Sequence, residues 1–118
     1  MAVTVTYYSR GANIAINGST TAPTAAQGSQ LVKQSAVIVF GTVDDVTGLF
    51  THNMGLDNSA PTFFEPEVLV EPISTGTTSW PMITFWRANT NVLVVGKRAG
   101  DAATTVLVTV RRPHSTGL

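Results

Sequence analysis

The sequence contains no cysteine. That excludes disulfides, thiolate metal ligands and cysteine nucleophiles, and leaves the redox compartment open. Charge is scarce too: 12% of the 118 residues are charged, and seven basic residues balance seven acidic ones. Ordinary soluble domains carry about twice that share. Zero net charge removes the field that draws a chain onto phosphate or an anionic membrane, so neither nucleic acid nor membrane is an expected partner. It also removes the repulsion that keeps copies apart, so self-association is expected. No apolar run approaches the ~18 residues of a membrane span, and MAVTVTYYSRG lacks a signal-peptide core, so synthesis as a soluble cytoplasmic chain is expected. No long stretch shows the period of an amphipathic helix, and no internal repeat is present. Gly48, Gly55 and Gly76 stand alone without P-loop spacing, and no GxSxG elbow occurs.

What is present is threonine, serine and asparagine on the surface and short β-rich runs throughout. Val3 to Tyr7 alternates with period two, the mark of a strand with one buried face. Asn13 to Ile16 alternates again and ends at Asn17-Gly18, a pair suited to the positive φ of a tight turn. Residues 18–30, GSTTAPTAAQGSQ, have no large apolar side chain and are expected to form an extended arm or exposed loop. SAVIVF reads as a strand buried on both sides. Residues 41–48 form a turn-rich acidic link, and Leu49 to Met54 a short strand. Four prolines between 61 and 81 mark loop and edge strand, with PEVLVEP a strand between two of them. Residues 82–112 hold three β-rich runs joined by short turns, which predicts a C-terminal antiparallel meander whose last strand places Val106, Val108 and Val110 on one face. Such spacing in a chain sized for one core predicts a single all-β domain over 1–118, an antiparallel β-sandwich or small barrel with an extended N-terminal arm.

Chemistry-bearing residues are few. His52, Asp57 and Asp44 or Asp45 would need three ligands around one ion with recognisable spacing, which is lacking, so a polar turn is the favoured reading and no metal or cofactor is expected. Glu65, Glu67 and Glu71 share one strand face, and paired carboxylates are what a glycosidase uses. A strand whose acidic side meets the basic residues Lys97, Arg98, Arg111 and Arg112 is favoured over that chemistry. His114, in RRPHS, has no partner pattern for catalysis and is expected to be part of an ordered tail. Trp80, Trp86, Phe63, Phe64, Tyr7 and Tyr8 could stack on sugars, but core or interface roles are favoured, with one of Phe85 and Trp86 facing inward. The chain is therefore not expected to be an enzyme.

Through SAVIVFG, FTHNMGL, PEVLVEP, ITFWRANTNVLVVGK and VTVRRPHS, the chain resembles the small structural proteins of tailed-bacteriophage virions. Within that group it is most similar to capsid decoration, or cement, proteins. The resemblance implies a virion protein of the capsid exterior, made in the host cytoplasm, that binds the major capsid protein as a trimer or dimer and clamps the lattice by multivalent contacts. Expected contacts are the first strand with Tyr7 and Tyr8, the 18–30 arm, the 52–64 loop with His52, Asp57, Phe63 and Phe64, and the tail with Arg111, Arg112 and His114. The rival readings are another virion role (tail tube, connector or fibre component), a carbohydrate-binding β-sandwich module using Trp80 or Trp86, and a small glycosidase using Glu67.

Overall fold

The computed structural model describes residues 3–11, 14–55, 67–75 and 82–111. In chain order these form β1 (Thr4–Arg10), β2 (Ala15–Ser19), α1 (Ala25–Gly28), β3 (Lys33–Phe40), β4 (Thr47–Thr51), β5 (Glu67–Thr75), β6 (Ile83–Asn89), β7 (Val92–Lys97) and β8 (Thr104–Arg111). The strands make two antiparallel sheets, a five-stranded one of order β2-β1-β3-β8-β5 and a three-stranded one of order β4-β7-β6. This is the all-β architecture that the alternating runs predict.

Alternation builds the core. Ala36, Ile38 and Phe40 of β3 and Val106, Val108 and Val110 of β8 point inward and meet Phe50, Leu93 and Val95 of the small sheet. The intervening Ser35, Val37 and Val39 stay half-buried on the other face. SAVIVF is therefore continuous because β3 is the central strand of its sheet, not because both its faces are covered.

The three runs of the last third are all strands, but they do not form a meander. β6 and β7 make a hairpin, whereas β8 crosses to the other sheet and lies between β3 and β5. The crossing is made at the link after β7, where Lys97 N–H donates to Val46 O at 2.9 Å and Gly100 N–H to Val43 O at 3.1 Å. Gly100 has φ +91°, which turns the chain out of its first sheet. A strand that alternates along all eight residues, with a paired strand on each side, is worth more in the larger sheet than at the edge of a hairpin.

Edges carry bulges. Registers slip in β2 between the partners of Tyr7 and Tyr8, in β5 between Pro72 and Ser74, and in β6 between Arg87 and Asn89. All three are edge strands, where a bulge twists the edge away from unwanted pairing. Asn17-Gly18 thus supplies a bulge within β2 rather than the turn expected, and Gly18 uses its positive φ of +82° there. β5 runs through Pro72 because an edge position needs no donor on its open side. On β4, the fourth edge, Thr51 N–H donates to the hydroxyl of Tyr7 at 3.1 Å.

Gly18 and Ser19 belong to β2, and the rest of the 18–30 stretch is a connection that contains α1 and is not a free arm. Thr24 and Gln27 form a reciprocal capping box that starts α1, with bonds of 3.0 and 3.2 Å. Pro23 and Gly28 are buried, and Ala22 packs on the core. Small side chains bury no broad apolar face, but their smallness lets backbone approach backbone. A Cβ at Gly28 would overlap the Asn53 carbonyl and lie 2.7 Å from His52 O. Gly28→Ala should therefore cost at least ~2 kcal/mol in urea unfolding. Gly55→Ala meets open space and carries only the penalty of φ +64°, about 1 kcal/mol.

Candidate functional site

His52 leaves the end of β4 and is 2% exposed. Its ring stands edge-on to Phe50 at 5.9 Å, and Phe50 in turn is edge-on to Tyr7 at 5.7 Å. Met54 N–H donates to His52 Nδ1 at 3.0 Å, so that nitrogen is spent as an acceptor. Around it, the backbone N–H groups of His52 and Asn53 both donate to Asn91 O. Gln34 Nε2 donates to His52 O at 2.6 Å, Asn53 Nδ2 to Pro23 O at 2.7 Å, and Gly55 N–H to Asn91 Oδ1 at 2.9 Å. Asn53 reaches φ +54°, just past the end of β4 at Thr51, three residues before Met54. The expected strand over Leu49 to Met54 is thus Thr47–Thr51, and the corner is a knot of backbone satisfaction.

The other members proposed for a metal cluster lie elsewhere. Asp45 precedes β4 and accepts from Thr42 N–H at 2.9 Å, so β4 separates it from His52 by roughly 20 Å of extended chain. Asp57 lies outside the described residues, and among those described no three metal-capable side chains gather.

The glutamates of β5 are exposed on the outer face of the large sheet, with Glu67 directly across from Arg111. Glu67 and Glu71 are four residues apart on one strand, about 13 Å, which exceeds the roughly 5–9.5 Å separating glycosidase carboxylates. Glu65 lies outside the described residues. The wider basic cluster does not meet this strand as expected. Lys97 is buried at the end of β7, its ammonium donating to the carbonyls of Val43, Arg98 and Asp101 at 3.4, 3.4 and 2.8 Å. Its burial follows from sharing the inward face with Leu93 and Val95, a parity visible in VLVVGK that charge alone obscured. Arg98 grips one oxygen of Asp101 with two nitrogens, at 3.2 and 2.9 Å.

Of the expected contact residues, Tyr7 and His52 point into the protein, whereas Tyr8 and Arg111 are exposed. Phe63, Phe64, Arg112 and His114 lie outside the described residues, as does Trp80. Phe85 occupies the inward side of β6 and Trp86 the outward side, yet both stay about half exposed. Sequence reasoning missed this two-sided exposure because alternation alone does not say that β6 is an edge. It also missed Arg10 and Lys33, which are far apart in sequence from Arg111 and become its neighbours only through sheet order.

No family model, curated protein or solved structure matches this chain.

Asp101 anchors the β7–β8 crossing: besides Arg98, it accepts from Met82 N–H at 3.1 Å. The Arg98 hydrogen bond holds its carboxyl below the ordinary value, aided by Met82 and by nearby positive charge, with burial opposing. A depressed folded pKa stabilises the protein above the unfolded pKa of about 4 and loses that contribution as pH falls through the folded value. Chemical denaturation of wild type and Asp101→Asn should therefore show a gap at neutral pH that closes as pH drops below about 4. Because the Arg98 side chain is 66% exposed, added salt should narrow the gap at neutral pH.

Proposed function

We propose that this chain is a non-enzymatic assembly protein that acts through its surface. On the resemblance described above, we read it as a capsid decoration protein that joins the outer capsid lattice as a homo-oligomer. The observation that carries the reading is β6. Phe85 is 46% exposed, Trp86 52% and Met82 60%. Side chains of this size leave roughly 300 Å² of apolar surface open, divided between the two faces of β6. Trp86 stands on the outer face over Gly96, where a Cβ would come within 3.6 Å of the indole. β6 is the last strand of its sheet and keeps regular register from Ile83 to Arg87, ahead of its bulge. An edge strand with aromatic groups open on both faces suits burial between subunits, where aromatics carry most of the binding energy.

Carbohydrate binding is a second reading supported by Trp86, since an exposed indole on a flat sheet can stack on a sugar ring. Solution mass and capsid binding separate the two. Wild type should form dimers or trimers by light scattering and cosediment with expanded capsid shells. Phe85→Ser/Trp86→Ser should weaken association more than tenfold, consistent with losing about 2 kcal/mol or more from interface aromatics, with its circular dichroism unchanged. Wild-type protein that stays monomeric at high concentration and ignores capsid shells rules the assembly reading out. Binding on a glycan array by that monomer establishes the second.

A further inference from the structure

On the outer face of the large sheet, sheet order assembles a row of like charges. Lys33 of β3 pairs directly with Arg111 of β8. Arg10 follows Ser9, whose partner is Gln34, and so stands beside Lys33 at the next rung. Neighbouring strands lie about 4.8 Å apart, so three cations occupy roughly 10 Å. All three are exposed, and none of their side chains makes a hydrogen bond or ion pair with another described residue. Arg98 and Lys97, by contrast, are fully engaged. Like charges directly opposed on a sheet destabilise it. A protein with no net charge has nonetheless placed these three cations side by side.

Two grooves run along this row and share Lys33. One, of about 390 Å³, is bordered by Arg10, Tyr8 and Asn17; the other, of about 420 Å³, by Arg111, Thr109 and Leu69. Between them Ser35 and Thr109 join their hydroxyls at 3.1 Å. Glu67 closes the far end beside Arg111.

We infer that this furrow docks an acidic segment of a protein partner laid across the strands, its carboxylates on Arg10, Lys33 and Arg111. Guanidinium groups hold carboxylates through paired hydrogen bonds. Tyr8 and Leu69 offer apolar contact at either end, as a peptide with mixed side chains requires. A long phosphate polymer fits poorly, because Glu67 ends the positive row beside Arg111 and zero net charge provides no long-range attraction.

Fluorescence anisotropy with a labelled poly-glutamate peptide tests this, with heparin and duplex DNA as comparators. The peptide should bind, and release as salt shortens the Debye length toward 3 Å. Lys33→Glu should weaken binding by about tenfold. It should leave the melting temperature unchanged or higher, because it replaces a like-charge pair with an opposite one. Arg10→Gln, which removes one like charge beside Lys33 without adding an opposite one, should weaken binding to a smaller degree. Absence of peptide binding, binding that survives Lys33→Glu, or preference for heparin or DNA overturns the inference. None of these readouts depends on the oligomeric state or on capsid binding.

Discussion

Each time this chain leaves one sheet for the other, backbone donors and acceptors lose their ladder partners, and the buried ones must be satisfied again within the crossing. That constraint decides the role of nearly every chemically interesting side chain that is described. At one end Asp45 caps the turn after β3, Lys97 gathers carbonyls of the β7–β8 link, and Asp101 accepts from the Met82 amide ahead of β6. At the other, His52, Asn53, Asn91 and Gln34 close the end of β4 against α1. Between these ends the apolar inward residues form one continuous cluster. A buried histidine near aspartates in sequence looks like the start of a site, but here one ring nitrogen, Nδ1, is occupied by Met54 N–H.

The strands were legible because period-two alternation is a local property, and β8, with its valines on one face, shows it most clearly. Pairing was less legible. Residues 82–112 have hairpin-like spacing at both links, yet only the first link is a hairpin, since a positive-φ glycine and two backbone bonds to residues 43 and 46 send β8 away. Asn17-Gly18 announced a need for positive φ correctly and its use incorrectly, because a bulge and a turn draw on the same residue chemistry. The 18–30 segment misled for a related reason. Absence of large apolar groups rules out a broad core face, but it favours close backbone contact, as Gly28 shows.

The surface was the least legible part. Side chains at Arg10, Lys33 and Arg111 become neighbours only when β1, β3 and β8 take their places, and no linear pattern encodes that order. In the same way, Phe85-Trp86 reads as one residue in and one out, whereas an edge strand leaves both half open. Bulges on β2, β5 and β6 blunt these edges against indiscriminate pairing, and the regular part of β6 is the stretch left with aromatic contact surface.

Hydrogen–deuterium exchange compared between dilute and concentrated protein tests this division of labour most directly. Residues 52–54 should be protected equally at both concentrations, because their partners are internal, and residues 83–87 should gain protection only when concentrated. Concentration-dependent protection at 52–54 with β6 unchanged, or exchange at 52–54 as fast as in exposed loops, would contradict the account.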